Sequence, residues 1–485
     1  VKASEILKNA LTTISNKISI PRNDGIPIVV FNQLGWSRSD IASAKIRFDP
    51  FNGYRYFKII DADGKEIPYQ IIKEEYYLDG SIKEAEVIFN AEAPSLGYNT
   101  YYVIPADSKP SYDTNIRCFE TEEPGTLSYI IENRFFRVRV ANGHITSIFD
   151  KRIGREIIEE ASGKGRGLGF LMGNSILCER VVNGVSGLTG EVTDVAYSSS
   201  RSSPDKIEIV ENGPVRAILR VSFSYIENPM TIDIIMYDSV PRIEFKVRLE
   251  AKIVGRRFRV VFPLGISGGR LFVDRLFNVE EVNPDGEVYV GVERSNGKMG
   301  RVFGAYSWAD LSNGERGVAL ISRQNAGFML EGNGLSSILL LTVDPNSLDR
   351  FRACPAFAGV GSHEFEYALY PHEGDVYQGR VYHAAMEYLN PLIVSVDVEG
   401  EGDLPPSYSF LSVKPENIVL SSLFRCGGEV ALRLFEVEGR DTAASINFFR
   451  GLNGAYVTDF LGNSIEGEVS FFRGHEIKEI HVRLR

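Results

Sequence analysis

From Pro21 to the end of the chain the hydrophobic pattern has a period of two, and this feature restricts the fold more than any other. Alternation places successive side chains on opposite faces of an extended backbone, whereas a helix repeats every 3.6 residues or so. Turn signals divide the pattern at Asn52-Gly53, Asp63-Gly64, Asp79-Gly80, Asn142-Gly143, Asn453-Gly454 and Gly462-Asn463. Tyr129 to Val140, Asn142-Gly143 and His144 to Phe149 predict a strand, a tight turn and a strand. Further strands are expected at 207–211, 214–226, 230–238, 241–254, 256–264, 302–308, 316–323, 326–331, 337–343 and 362–370. So many strands with so little helical pattern predict an all-β chain with two large packed antiparallel sheets.

Helical spacing occurs at the start, where Ile6, Leu7, Ala10, Leu11, Ile14 and Ile18 recur at three and four residues. Ser4 can cap this helix of 3–19 and Pro21 lies beyond its end. A second, short helix is expected around His383 to Leu389, before the Asn390-Pro391 turn. The expected organisation is a helix at 1–20, a small β-sandwich at 21–110, a large β super-sandwich at 116–397 and a C-terminal β-sandwich at 408–485. Polar stretches at 105–115 and 398–409, each with two prolines, are expected to be linkers. Gly163 to Gly173 lacks phosphate-loop spacing and predicts a closely packed loop.

The stretch Gly361 to His372 places His363, Phe365, Tyr367 and Leu369 on one face and Glu364, Glu366, Ala368 and Tyr370 on the other. Two carboxylates at this spacing suggest acid/base chemistry on a sugar, where such pairs stand about 5 to 9.5 Å apart. The simpler reading is a central strand with a polar face.

Lys plus Arg total 53 against 64 Asp plus Glu, a net charge of −11 that leaves no basic footprint for nucleic acid. A neutral ligand or a protein partner fits this balance. Cys118, Cys178, Cys354 and Cys426 match no Cys-x-x-Cys spacing and predict buried thiols. The longest apolar runs, such as Ile338-Leu339-Leu340-Leu341, are far short of the roughly 20 residues of a membrane helix. No signal peptide is visible, which favours the cytoplasm, although the chain opens on Val1 and not Met.

Gly361-x-His363-x-Phe365-x-Tyr367-x-Leu369-x-Pro371-His372, followed by Tyr388-Leu389-Asn390-Pro391-Leu392, resembles the C-terminal half of glycoside hydrolase family 38, the α-mannosidases. Val29 to Arg38 is similar to the family's Asn-Pro-x-x-Trp-x-Arg opening, with Gln33 in place of the proline. Glu132-Asn133-Arg134-Phe135 with Gly143 to Lys151, and then Trp308-Ala309-Asp310-Leu311-Ser312, resemble later motifs in the same order. The resemblance covers about residues 26 to 485. It implies retaining α-mannosidases built from an N-terminal β/α barrel, a helical bundle and β-rich domains. The zinc and the aspartate nucleophile would belong to the barrel and its His-x-Asp-x-Gly-Trp motif. None of the six histidines here, His144, His363, His372, His383, His475 and His481, has Asp two residues later. The resemblance therefore implies the family's C-terminal portion without its barrel, with no catalytic, cofactor-binding or metal-binding residue assigned in this chain.

The implied partners are mannosides, together with the barrel portion or a second copy of the chain packed through the helix at 3–19. A freestanding carbohydrate-binding or partner subunit is one alternative. Another is a sugar epimerase, because the family's large domain resembles the galactose-mutarotase sandwich, whose epimerases use a His and a Glu. His144, His372 and Glu366 are the candidates for that chemistry, since adjacent His363 and Glu364 face opposite ways. Trp36, Trp308 and the 22 tyrosines offer ring faces for sugars, and core packing is the competing use. Thr342-Val343-Asp344-Pro345 departs from the Leu-Leu-Arg-Ser-like sequence of the family, so Arg350-Phe351-Arg352 is given no role.

Overall fold

The structure, a computed structural model, describes residues 2–20, 25–50, 53–123, 125–159, 173–182, 191–199, 202–283, 292–295, 298–342, 358–396, 398 and 400–485. By contacts the chain divides into two compact units, Val1–Asp113 with Glu387–Arg485, and Thr114–Met386. The fold is all-β, with helices only at Lys2–Ser15 (α1) and Val381–Leu389 (α2) among the described residues. Neither helix is long and apolar enough to cross a membrane.

In the second unit a nine-stranded antiparallel sheet has Gly361–Glu373 as its middle strand, between Ile243–Ala251 and Arg316–Ser322. A seven-stranded sheet containing Arg256–Pro263 and a five-stranded sheet containing Phe136–Ala141 contribute to the same core. Ile243–Ala251 shows why the pattern works. Ile243, Phe245, Val247, Leu249 and Ala251 are buried, while Glu244, Lys246, Arg248 and Glu250 lie on the other face. The middle strand follows the same rule with Phe365, Tyr367 and Leu369 in the core. Burying each such side chain is worth roughly 1.5–3 kcal/mol. After Glu373 the chain turns back through residues 374–380 into α2, burying Val376, Val381 and Ala385.

In the first unit the strands Ile26–Asn32, Gly97–Ala106 and Tyr56–Asp61 face a three-stranded sheet, Arg38–Arg47, Ile82–Ala93 and Tyr69–Tyr76, across a core of Val30, Ile46, Phe57, Val87, Phe89 and Val103. A four-stranded sheet, Ile418–Cys426, Glu429–Glu436, Ile477–Leu484 and Leu452–Thr458, covers a smaller core around Leu432, Leu434, Phe472 and Ile480.

Several expectations need correction. The single strand from Tyr129 to Val140 is two strands, Thr126–Glu132 and Phe136–Ala141. The Asn133 carboxamide oxygen accepts from the amides of Phe135 at 2.8 Å and Phe136 at 2.7 Å, closing an Asx turn between them. The strand expected at 302–308 ends at Gly304, and Trp308 opens the next one. The buried Asp274 carboxylate fixes that break by accepting from the amides of Ser307 and Trp308 at 2.9 and 3.1 Å. Asn453-Gly454 is no turn but a bulge within Leu452–Thr458. The linker expected at 398–409 is tied down, since Leu404 bridges Ile18, Glu401 bridges Ser19, and Ser407–Ser409 pairs with Gly97–Ala106.

Of the thiols, Cys118 and Cys178 are buried, which pushes both up to about 12, while Cys426 is exposed at a strand end. Cys354, Arg350-Phe351-Arg352 and residues 163–172 lie outside the described residues. The apolar stripe of α1 is divided. Leu11 and Ile14, with Ile18 beyond the helix end, pack on Val29, Phe31 and Tyr98, whereas Ile6 is 69% and Leu7 47% exposed.

Candidate functional site

The motif stretches supply most of the chemistry-bearing side chains worth testing as a site. In the first unit Asn32, Gln33, Trp36 and Arg38 form one network. Asn32 Nδ2 donates to the Trp36 carbonyl at 2.7 Å, and Asn32 Oδ1 accepts from Arg38 Nε at 3.0 Å. Arg38 also donates to Gln33 Oε1 and to the Glu387 carbonyl, both at 3.2 Å, while Trp36 Nε1 donates to Glu387 Oε1 at 2.9 Å. Gln33, standing where the family has proline, donates to the Pro391 carbonyl at 3.1 Å. Trp36 is 3% exposed, so its ring is packing and not a sugar platform.

In the second unit three motif stretches converge on the end of the strand Gly361–Glu373. Asp150, fully buried, holds Arg152 through two hydrogen bonds of 3.0 and 2.6 Å. Arg152 donates on to the Pro371 carbonyl at 2.8 Å and lies 4.9 Å above the Phe136 ring. Partial burial pushes the Glu132 carboxyl upward, but Lys151 and Arg117 outweigh it and keep the group below the usual range. One residue beyond Pro371, His372 Nε2 lies 2.8 Å from Asp310 Oδ1, and Ser312 donates to Asp310 Oδ2 at 2.7 Å. Asp310 has no exposure, His372 has 2% and Trp308 has none. A serine, a histidine and an aspartate thus meet, yet no substrate can reach them.

His144, His372 and Glu366 do not assemble. His144 pairs with the Ser202 carbonyl at 3.0 Å and stacks on Phe223. Glu366 and His372, six residues apart along one strand, are separated by about 20 Å. The pair Glu364 and Glu366 belongs to a charge ladder. Arg220, Asp233, Lys246 and Glu366 stand opposite one another on four neighbouring strands. Lys246 reaches Glu364 at 2.6 Å and Glu366 at 3.2 Å, and Arg248 reaches Glu364 at 3.1 Å. The Lys246 hydrogen bond holds Glu364 below the ordinary carboxylate range, which suits a salt link and not a general acid.

The sequence reading missed a second buried network. Arg259 donates to Glu179 at 3.0 Å, Ser336 at 3.1 Å and Glu331 at 2.7 Å, and Arg257 also bonds Glu179. Burial pushes Glu179 upward, but the two guanidiniums outweigh it and keep the carboxylate charged. These residues sit among apolar neighbours on four strands from three separate regions of the sequence, which the sheet register brings together. Among the described residues no three His, Cys, Asp or Glu side chains group so as to hold a metal ion. The described residues do not fit a zinc site.

Residues 191–342 match the family model for the glycosyl hydrolases family 38 C-terminal domain. Alpha-mannosidase 2C1 of Mus musculus is 35% identical over 141 residues, 28% of this chain and 12% of that protein. A putative mannosylglycerate hydrolase of Halalkalibacterium halodurans is 21% identical over 456 residues, 82% of this chain and 48% of that protein. The crystal structure of an alpha-mannosidase from Enterococcus faecalis V583 superposes with a TM-score of 0.75 at 15% identity, covering 98% of this chain and 58% of that one. The chain spans less than half the length of each of these two relatives and somewhat more than half of the solved chain. The match places residues 191–342 in the glycosyl hydrolases family 38 C-terminal domain, and the chain shares its fold from end to end with part of that alpha-mannosidase.

Proposed function

We propose that this chain is the β-rich portion of a retaining α-mannosidase, which scaffolds a zinc-dependent catalytic portion and helps close its sugar site. One observation carries the reading: 98% of the chain takes the fold of 58% of an Enterococcus faecalis alpha-mannosidase. The closed clasps at Trp36, Arg152 and His372 support a scaffolding role, because each spends its polar groups on its own backbone and side chains. The nucleophile and the zinc would come from the part of the relatives that this chain does not match.

The test is direct. Purified chain, with and without added zinc, is expected to leave an aryl α-mannoside intact, and to gain turnover when combined with a catalytic portion from its own source. Zinc-dependent turnover by the chain alone would overturn the reading, and so would anomer interconversion without hydrolysis.

A further inference from the structure

The geometry points to a proton-dependent latch at His372: its two ring bonds stay on the sheet and fix the imidazole on which Gly379 of the returning segment 374–386 closes. Both ring nitrogens of His372 face acceptors: Nε2 lies 2.8 Å from Asp310 Oδ1 and Nδ1 lies 3.1 Å from the Glu373 carbonyl. Only the doubly protonated imidazolium donates from both nitrogens, and a neutral ring would turn a lone pair toward one of these oxygens. Ser312 occupies the other oxygen of Asp310, so the carboxylate stays an acceptor on both sides.

The ring is also gripped. A Cβ at Gly317, directly opposite on the neighbouring strand, would stand 2.4 Å from the His372 Cε1 and Nε2 atoms. One at Gly379, on the returning segment, would stand 2.0 Å from Nδ1. Two glycines therefore let backbone close on the two sides of the imidazole. Tyr370 completes the contact, its ring stacked 5.9 Å from that of His372 and its hydroxyl donating to the Gly379 carbonyl at 3.0 Å.

Burial opposes the charge on the ring most, yet Asp310 and the Glu373 carbonyl prevail and hold His372 above the usual histidine value. The charged groups around the ring are Asp310 from the sheet and Arg152 from the loop after Asp150, the first favouring the imidazolium and the second opposing it. The sign follows from linkage. A raised value in the closed state means that the latch is fully present below the ordinary value of about 6.5 and is lost as pH rises through the raised one.

Amide hydrogen exchange of residues 374–386 in the intact chain, corrected for intrinsic rates, reads this directly. Protection is expected to fall by up to about tenfold per pH unit above about pH 6.5, then level off. In His372→Gln it is expected to be lower and independent of pH. A flat profile in the unaltered protein, or the same slope in His372→Gln, would overturn the latch. Should the variant not fold, ring nitrogen NMR shifts of the unaltered protein decide: protons on both nitrogens at neutral pH support it, and a neutral ring refutes it.

Discussion

Glu436 shows how much a single buried side chain does here. It has no exposure, and its two oxygens accept from Asn417 Nδ2 and from the amides of Glu438, Gly439, Arg440 and His475, at 2.7 to 3.1 Å. One carboxylate thus closes the turn after its own strand and draws in the loop that leads to Ile477–Leu484. An amide in its place keeps the shape but points two donors at donors. Hydrogen bonds to a charged group are worth about 1.5–3 kcal/mol each, so Glu436→Gln is expected to cost on the order of 3 kcal/mol in urea denaturation. Glu466→Gln, on an exposed residue, is expected to stay within about 0.5 kcal/mol. Equal midpoints for the two variants would refute this account.

Among the elements, the hairpin joining Arg216–Tyr225 to Asn228–Tyr237 stands out for its turn. Ile226 and Glu227 both lie in the left-handed region, at φ 51° and 61°, where glycine or asparagine is the usual choice. Asn228 supports this conformation, donating to the carbonyls of Tyr225 and Ile226 and accepting from Lys252. Ile226 is retained for a reason, since it packs on the core. Glu227 is exposed. A left-handed conformation costs a non-glycine residue roughly 1–2 kcal/mol, partly offset by the freedom glycine brings to the unfolded chain. Glu227→Gly is therefore expected to stabilise the second unit by about 0.5–1 kcal/mol, and a loss of stability would show that the turn is not strained.

The same hairpin shows where the sequence was legible. Period-two alternation located strands such as Ile243–Ala251, because one buried face writes itself into every second residue. Asn142-Gly143, at φ 49° and 81°, announced its turn because the residues that tolerate that backbone are few. The hairpin Arg270–Arg275 to Asn278–Val282 went unannounced, since its turn places Phe277 at φ 64° and carries no glycine. The bend at Asn133 was invisible for a related reason: a side-chain acceptor, and not a break in hydrophobicity, makes it. Clasps such as Asp150–Arg152–Pro371 and Glu179–Arg259 depend on pairings across hundreds of residues in one case and about eighty in the other, which no local pattern encodes.

At the scale of the whole molecule the unanswered element is α1. Its second half is accounted for, because Leu11 and Ile14 join Ile18, Val29, Phe31 and Tyr98 in a buried cluster. Its first half is not. Residues 2–10 are exposed on every side, with Ile6 and Leu7 forward of the cluster. A helix of 14 residues is at the margin of stability in water without a covered face, so its free end gains from any partner that covers it. The proposed partner is the catalytic portion of the enzyme, and a second copy of this chain is the rival. Ile6→Gln with Leu7→Gln separates the self-packed half of the helix from the free half. The doubly altered chain is expected to unfold within about 0.5 kcal/mol of the parent, as surface changes do, while binding the catalytic portion at least about tenfold more weakly. If light scattering shows the parent to be a dimer that the two changes dissociate, the second copy is the occupant. If instead both changes destabilise the isolated monomer by more than about 2 kcal/mol, the two side chains are buried by their own chain and no partner is needed.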